Sequence, residues 1–259
     1  MRILVTFAVD AEFAPWRKRH PFESLSIEMP QRYFQESYYE TRIGNLDIVA
    51  CLTGIGCTFT EQGLRTLFAK KPDVCISSGL AGGLRADLEK GDIAAAKFVR
   101  LVDGPERMGA NTGLFESAVE HGAKGVDTCL TARHIVGQSQ FKRAMSGFGD
   151  MVEMESFRIM NMCSGPQVAS LTVRAISDTV DEDLPLDFSQ VLDTNGRIVK
   201  RQLALQLARY PNKIRALIRF GKESQNAAVK LADFLDGFLP AIGEKFTHGI
   251  PGKREQVVP

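Results

Sequence analysis

The most informative charged residues lie in and after an apolar run that we predict to be a buried strand, Val168–Ile176. Arg174 lies within this run, and Asp178 follows it directly after Ser177. Residues four apart on a strand point to the same face, so Arg174 and Asp178 are expected to share a side. Charged groups among valine, leucine and isoleucine are costly unless they are paired or used. A structural ion pair and a catalytic site are both consistent with this pattern.

Further carboxylates lie close to the ends of predicted elements. Asp10 and Glu12 follow the first predicted strand, and Glu153 and Glu155 flank Met154 where a helix is predicted to open. One of the first pair is expected to be solvated or to cap a turn, and the sequence does not distinguish which. Acidic groups at strand ends around glycine-rich loops suit acid/base chemistry.

Two glycine-rich segments follow predicted strands. In Gly54-Ile55-Gly56 the glycines would permit close backbone approach to a ligand, although a tight turn explains them as well. The third glycine of a dinucleotide-binding fingerprint is missing. The segment Ser77–Leu84 is small enough for a substrate to lie against its backbone, or it forms a loop without a ligand. No Gly-Lys-[Ser/Thr] follows it, which excludes a P-loop.

The overall composition excludes several classes of protein. The chain has 259 residues, 32 basic and 31 acidic, and its net charge of +1 argues against a nucleic-acid-binding footprint. Five cysteines without a Cys-x-x-Cys pair, and four histidines without metal-ligand spacing, predict free thiols in a reducing compartment and no metal. The apolar run before Asp10 is too short to span a membrane, and no cleavage site follows it, so we expect a cytoplasmic protein.

Short apolar runs alternate with helical stretches, which predicts an α/β fold with a mostly parallel or mixed sheet covered by helices. The predicted strands are Ile3–Val9, Leu46–Thr53, Val74–Ser78, Ile93–Val99, Thr131–Val136 and Val168–Ile176. Helices are predicted at Thr60–Lys70, at Val152–Cys163 and from Ser189 to Leu239, where Pro211 and Gly221 are expected to divide the last segment.

The remaining segments are predicted to be connections or a terminal tail. Val102–Gly125 is expected to be a surface excursion, and Pro21–Tyr39 a packed connection or a mobile loop over a pocket. We predict one domain over residues 1–245 and a disordered tail over residues 246–259.

Taken together, the motifs resemble the nucleoside phosphorylase/nucleosidase family, and in motif terms its methylthioadenosine/S-adenosylhomocysteine nucleosidases. The resemblance covers Met1 to about Phe188 and depends on six segments in the family's order: Ala8–Glu12, Thr53–Gly56, Lys71–Leu84, Lys90–Ile93, Val152–Glu155 and Val173–Asp178. It implies a single three-layer domain around a central mixed, twisted sheet. It also implies a dimer or higher homo-oligomer that acts on a small-molecule nucleoside without a metal or organic cofactor.

The resemblance assigns the base side of the site to Asp178, which is expected to protonate purine N7. Ser177 would hold that aspartate or the base. The family's base-stacking segment corresponds here only to Gly137–Phe141, so Phe141 is the stacking candidate. Protonation at N7 turns the departing purine into a neutral leaving group.

The resemblance assigns the sugar side of the site to five further residues. Met154 and Glu155 match a ribose-binding pair, with Glu155 accepting hydrogen bonds from sugar hydroxyls. Glu12 matches the carboxylate that positions and deprotonates the attacking water. Arg174 matches an arginine beside that water. The Gly79-Leu80 segment would contact the substrate.

Two departures from the family bear on the nucleophile. Where the phosphorylases hold phosphate with an arginine and a serine, this chain has Ser77 and Leu80, which supply no cation, although Arg42 could. Glu12 would also repel a phosphate dianion. Both features favour water. Leu80 also replaces the serine of typical methylthioadenosine nucleosidases.

A second resemblance, to the hopanoid-associated phosphorylase branch, keeps an alternative open. It depends on Gly79–Leu84, Met154–Ser156, Asn195–Arg197 and Leu207–Pro211. We therefore expect an N-ribosyl hydrolase that releases adenine from a 5′-modified adenosine. The alternatives are a phosphate-dependent phosphorylase, including one that removes adenine from adenosylhopane, and a nucleoside-binding protein without catalysis. Nucleic acid and stable membrane insertion are not expected.

Overall fold

The structure is a computed structural model that describes residues 1–25, 38–57, 68, 72–164, 168–191 and 199–246. The strands in these ranges are β1 (Arg2–Phe7), β2 (Glu23–Ser24), β3 (Tyr38–Ile43), β4 (Leu46–Leu52), β5 (Val74–Ser77), β6 (Leu80–Gly83), β7 (Ile93–Leu101), β8 (Arg107–Gly109), β9 (Lys124–Thr131), β10 (Met151–Glu153) and β11 (Ala169–Asp178). The α-helices are α1 (Asp10–Arg17), α2 (Thr112–Glu120), α3 (Ser139–Met145), α4 (Ser156–Ser164), α5 (Lys200–Arg209) and α6 (Ile214–Lys245).

These strands form one mixed sheet in the order β2-β3-β4-β1-β5-β11-β6-β10-β9-β7-β8. β1 runs parallel to β4 and β5, and β11 runs parallel to β5 and β6. The pairs β6–β10 and β7–β11 are antiparallel. Because β7 also pairs with β11, the strands β11, β6, β10, β9 and β7 close into a ring. Because β1 is parallel to β5, and because β6 begins three residues after β5 ends, the carboxyl ends of β1 and β5 lie next to the start of β6.

Helices cover both faces of the sheet. Ile3 and Val5 on β1 pack into the largest hydrophobic cluster, to which α1 and α6 contribute. Leu4 lies between them in sequence and packs into a second cluster with Ile159 and Cys163 of α4. Alternate residues of a strand point to opposite faces, so β1 is buried on both sides. This arrangement confirms the predicted α/β class with a central mixed sheet.

Most of the predicted strands are confirmed. Ile3–Val9, Leu46–Thr53, Val74–Ser78, Ile93–Val99 and Val168–Ile176 correspond to β1, β4, β5, β7 and β11, with ends that differ by up to two residues. Each is a largely apolar run whose residues are mostly buried.

Two predictions in the middle of the chain are wrong. The strand expected at Thr131–Val136 lies earlier, because β9 ends at Thr131. The first half of β9 contains lysine, glycine and aspartate, which are typical of a loop. The surface excursion expected at Val102–Gly125 contains β8 and α2. Asn111 caps α2 by accepting a hydrogen bond from the Leu114 backbone N–H at 3.1 Å, and Leu114 is fully buried.

The predicted helices are confirmed in part. The segment Val152–Cys163 begins as strand β10 and becomes helical only at Ser156. In the C-terminal region Pro211 separates α5 from α6 as predicted, but Gly221 lies inside the continuous α6. Phe246, the first residue of the predicted tail, is buried in the main cluster.

Other predicted segments lie wholly or largely outside the described residues. They are Thr60–Lys70 except Phe68, most of Pro21–Tyr39, Asn195–Arg197 and residues 247–259. Within the described ranges, no helix is both long and apolar enough to cross a membrane.

Candidate active site

A buried ion pair between Arg174 on β11 and Glu153 on β10 lies at the centre of the candidate site. Both side chains are almost completely buried. Arg174 also donates to the Ser78 carbonyl at 2.9 Å, to Ser156 Oγ at 2.8 Å and to Ser77 Oγ at 3.3 Å. One guanidinium therefore ties together the ends of β5, β10, β11 and the start of α4.

Glu153 is a site-organising residue that the sequence analysis quoted within a motif but did not select. Its carboxylate accepts hydrogen bonds from the backbone N–H groups of Glu155 and Ser156, both at 2.8 Å, and from Thr131 Oγ1. It therefore binds the otherwise unpaired N–H groups at the beginning of α4. The available signal was an acidic residue that ends a short, fully buried apolar strand.

Glu12, near the beginning of α1, points into the same site. Its Oε2 accepts from the Ala8 N–H at 2.8 Å and the Val9 N–H at 3.3 Å, and its Oε1 accepts from the Leu80 N–H at 3.0 Å. Burial raises the pKa of Glu12, while the nearby charge of Arg174 and the three N–H donors oppose that rise. Leu80 thus contributes its backbone to the site.

The structure distinguishes Glu12 from the neighbouring acidic residue Asp10. Asp10 has a side chain that is 53% exposed and forms an ion pair with Arg17 at 2.9 Å. Glu12, by contrast, is 8% exposed and has no surface cation as its partner among these described contacts. Glu12 is therefore the buried member of the pair.

Gly79 allows Arg174 and Glu12 to approach each other. Its φ is +138°, a conformation that L side chains rarely adopt. A Cβ at this position would lie 2.4 Å from Arg174 Nη1 and 3.0 Å from Glu12 Oε2. The glycine is required by this close contact.

Glu155 lies beside the central ion pair. Its Oε1 accepts from the Gly56 N–H at 2.8 Å, and its Oε2 is 3.6 Å from Arg174 Nη2. Burial and then the neighbouring charge of Glu153 raise the pKa of Glu155 to about 8, against the effects of Arg174 and the Gly56 N–H. Gly54 and Gly56 have φ of 71° and 69°, so this motif forms a tight turn that presents an N–H to Glu155. Met154 packs on the turn, with its Cε 3.7 Å from the position of a Gly56 Cβ.

Asp178 ends β11 and is 7% exposed. Its Oδ1 accepts from Ser177 Oγ at 2.6 Å, and its Oδ2 forms an ion pair with Lys142. Lys142 is completely buried and also donates to the Thr179 carbonyl at 2.9 Å and the Glu182 carbonyl at 2.8 Å. All three ammonium protons therefore have acceptors, and both oxygens of Asp178 are held.

The sequence analysis missed Lys142, and no sequence signal identifies it. It lies on the short, polar helix α3, where a lysine is expected to face solvent. Phe141, the predicted base-stacking residue, is the next residue on that helix and is 52% exposed. No described contact joins Phe141 to the other candidates, so its role stays a prediction.

Strand β6 contacts both Glu12 and Asp178. Glu12 accepts from the backbone of Leu80, and Asp178 Oδ2 is 3.1 Å from the position of a Cβ on Gly82. Two residues of a strand span about 7 Å. The two contact points are therefore separated by about the width of a sugar and a water molecule.

Within the described residues, no group of three or more histidine, cysteine, aspartate or glutamate side chains is arranged to hold a metal ion. All five cysteines are free and buried. The site contains four buried carboxylates, an ion-paired arginine and an ion-paired lysine.

The family model that matches this chain is described as the phosphorylase superfamily and covers residues 2–210. Among curated relatives, a 5′-methylthioadenosine/S-adenosylhomocysteine nucleosidase of Glaesserella parasuis is 32% identical over 178 residues, which are 60% of this chain and 77% of that protein. The enzyme of the same name from Exiguobacterium is 29% identical over 66% of this chain and 83% of its own length.

Solved structures with the same fold are more distant in sequence. A Helicobacter pylori 5′-methylthioadenosine/S-adenosylhomocysteine nucleosidase in complex with a substituted pyrrolidin-3-ol has a TM-score of 0.69 at 18% identity, and the match covers 93% of this chain and 98% of the other. A futalosine hydrolase of Helicobacter pylori has the same score, identity and coverage. These similarities show the fold.

The raised pKa of Glu155 predicts a pH-dependent stability. Between the ordinary value of 4.5 and about 8, the folded protein holds a proton that the unfolded chain releases. The stabilising contribution is therefore complete below about pH 4.5 and is lost as the pH rises through about 8. We expect Glu155→Gln to lose less stability than the wild type between about pH 5 and 8, measured by urea unfolding. Glu120→Gln, at a side chain that is 68% exposed, is the control and should keep the wild-type pH dependence. Parallel curves of stability against pH for E155Q and the wild type would contradict the raised pKa of Glu155.

Proposed function

Because the chain belongs to the phosphorylase superfamily, we propose that it is an N-ribosyl hydrolase that releases adenine from a 5′-modified adenosine such as methylthioadenosine or S-adenosylhomocysteine. The relatives that support this substrate class carry the names of those two nucleosides. The reaction needs an acid for the base, a carboxylate for the water and groups that hold the ribose.

The observation that carries the proposal is the state of Glu12 and Arg174. Glu12 is a buried carboxylate held by three backbone N–H groups, and the adjacent Arg174 is already neutralised by Glu153. A phosphate dianion would meet the negative charge of Glu12 without an uncommitted guanidinium to offset it. Arg42, the alternative phosphate ligand, has a side chain that is 72% exposed and faces Asp47 at 3.8 Å. Water is the nucleophile that this environment favours.

Asp178 is our candidate for the acid that protonates N7 of the purine. Ser177 and Lys142 hold its two oxygens, so the carboxyl group has a fixed orientation. A fixed acid lowers the entropic cost of proton transfer in the transition state. We assign Ser177 and Lys142 as positioning residues for Asp178.

The remaining candidates would bind the substrate. We infer that Glu155 accepts hydrogen bonds from ribose hydroxyls and that Met154 packs against the sugar. The Gly79-Leu80 backbone lies beside Glu12 and would border the reacting carbon. Phe141 is proposed to stack on the base.

In the proposed reaction, the C1′–N9 bond breaks and its electron pair passes to the purine, which takes a proton at N7 from the carboxyl group of Asp178. Because Asp178 is ion-paired with Lys142, the Lys142 ammonium supplies that proton to the carboxylate and is left as a neutral amine. The oxygen of water forms the new bond to C1′, and the proton of that water passes to Glu12. Nearby carboxylates stabilise the positive charge that develops on the sugar. Glu12 and Asp178 contact β6 at points that are about 7 Å apart, which leaves room for the attacking water.

The proposal includes the setting of the enzyme. We infer a cytoplasmic homodimer or higher homo-oligomer. The balanced charge and the five free cysteines of the chain support a cytoplasmic location. The family resemblance, which implies dimers or higher homo-oligomers, supports the assembly.

The direct test is incubation of the full chain with methylthioadenosine, S-adenosylhomocysteine, adenosine and inosine, each with and without phosphate. We expect adenine release from the 5′-modified nucleosides at the same rate in both conditions, measured by chromatography of the free base. Strict dependence on phosphate would reject hydrolysis in favour of the phosphorylase alternative.

Asp178→Asn tests the assigned acid. Because asparagine has no proton to give at N7, kcat is expected to fall by about 10²–10⁴-fold. This change also leaves the Lys142 ammonium buried without a carboxylate, so a D178N/K142M double variant serves as a second test in which neither charge is present. Both variants should be inactive while retaining a native circular dichroism spectrum, and a D178N rate near that of the wild type would remove Asp178 from the mechanism.

Glu12→Gln tests the assigned base against a matched neighbour. A glutamine cannot take the proton of the attacking water, so hydrolysis should fall by about 10²–10⁴-fold and by more than any residual phosphorolysis. Asp10→Asn, two residues away at an exposed position, should retain wild-type kcat. Equal losses of hydrolysis and phosphorolysis in E12Q, or similar behaviour of E12Q and D10N, would show that Glu12 does not activate water.

A further inference from the structure

The region from the beginning of α5 to the first turns of α6 carries an unusual concentration of positive charge. Between Arg201 and Lys222 the chain has six basic residues and no acidic residue, whereas the whole chain is almost balanced at 32 basic and 31 acidic. The six, which we call the basic face, are Arg201, Arg209, Lys213, Arg215, Arg219 and Lys222. The imbalance is therefore local and not a property of the composition.

This region lies on the surface of the protein. None of the described side chains from Arg201 to Asn226 is buried, and α6 begins to bury residues only at Ala227. All six members of the basic face are exposed. The first three turns of α6 thus extend beyond the core that its later turns complete.

Large apolar side chains are exposed on the same region. Leu205 is 60% exposed, Tyr210 46%, Ile214 41% and Ile218 55%. Ile214 and Ile218 are four residues apart and so lie one above the other on α6. These residues lie on α5, on the connection after it and on α6, and a cluster of exposed apolar side chains of this kind marks an interaction site.

The basic and apolar groups share one side of α6. Arg215 and Arg219 form a second row, about 100° around the helix from the row of Ile214 and Ile218, so the four side chains lie within one side of α6. The opposite side carries half-buried residues, among them Phe220, whose ring is 5.5 Å from that of Phe188. The helix therefore rests on the protein by one face and presents a mixed apolar and cationic face outward.

We propose that this face docks on the surface of an anionic phospholipid bilayer. Isoleucine and leucine side chains can enter the boundary between headgroups and acyl chains, while lysine and arginine extend their charged ends to the lipid phosphates. In water the exposed apolar side chains are unfavourable and the cations lack an anionic partner. An anionic bilayer surface accommodates both sets of residues.

Two other occupants fit the surface less well. A second copy of the chain, related by two-fold symmetry, would bring the six cations against each other without an acidic residue from the same stretch to offset them. A nucleic acid would use the cations and stack on aromatic rings, but it would leave Leu205, Ile214 and Ile218 without a role.

The docking face is connected to the candidate acid by a chain of charged contacts. Glu223, one residue after the basic face, lies 2.8 Å from Lys90 Nζ, and that ammonium lies 2.5 Å from Glu182 Oε1. The carbonyl of Glu182 accepts from Lys142, the partner of Asp178. These contacts fix the orientation of the docking face relative to the site.

Co-sedimentation of the full chain with vesicles tests the proposal. We expect binding to vesicles of phosphatidylcholine mixed with phosphatidylglycerol, little binding to phosphatidylcholine alone, and loss of binding as the salt concentration rises. No binding to the anionic vesicles at low salt would overturn the proposal.

Charge variants identify the surface. The test variant is R209Q/K213Q/R215Q, and the matched control is K18Q/K97Q/R133Q, which removes three exposed cations elsewhere. The test variant should lower the vesicle partition coefficient by on the order of 10- to 100-fold, and the control should change it little. Equal losses in both variants would show general charge attraction and would overturn the assignment to this face.

Apolar variants separate lipid from other anions. I214S/I218S should also weaken vesicle binding, whereas V119S/F148S, at exposed apolar positions elsewhere, should not. Hydrolysis of soluble nucleosides should be unchanged in all of these variants. If the face variants alter only the oligomeric state, or if the protein binds an oligonucleotide but not the vesicles, the occupant is a second copy or a nucleic acid and the proposal is wrong.

Discussion

The buried ion pair between Arg174 and Glu153 is the interaction on which the rest of the site depends. Neither charge is sustainable alone in this interior, because removal of one partner leaves the other desolvated and uncompensated. Their additional hydrogen bonds, to Ser78, Ser156 and the first N–H groups of α4, join three strands and a helix around one point. The geometry of the site is therefore set by a contact within the core, before any substrate arrives.

This arrangement also limits the chemistry of the site. A guanidinium that is neutralised by Glu153 stabilises the position of Glu12 without being available to bind an anion. In the proposed mechanism, the Glu12 carboxylate is then the dominant group beside the reacting carbon, which suits a water nucleophile. Toward the other end of β6, the cation of Lys142 holds Asp178 and two loop carbonyl groups, so each of the two carboxylates has its own cationic neighbour.

The sequence predicted the site best where charged residues interrupt an apolar, strand-like run. The buried strands and the charges on β11 could be predicted because acidic and basic residues among apolar ones are rare and costly. Lys142 could not be predicted, since its burial depends on carbonyl groups of a loop forty residues away. The choice between Asp10 and Glu12 depended on the Leu80 N–H, which only the folded sheet brings near. Helix α2 was missed although Leu114 and Ala118 are spaced as on a helix, because it is only nine residues long and lies in a stretch rich in Gly, Asn, Asp and Glu.

The most direct test of the account is the identity of the sugar formed when the enzyme turns over methylthioadenosine in phosphate buffer. Phosphorus NMR during the reaction distinguishes a sugar with a free C1 hydroxyl from a sugar 1-phosphate. If water is the nucleophile, adenine accumulates while the inorganic phosphate resonance keeps its intensity and no new phosphorus resonance appears. A sugar 1-phosphate formed in step with adenine would contradict it, since phosphate would then occupy the place assigned to water beside Glu12.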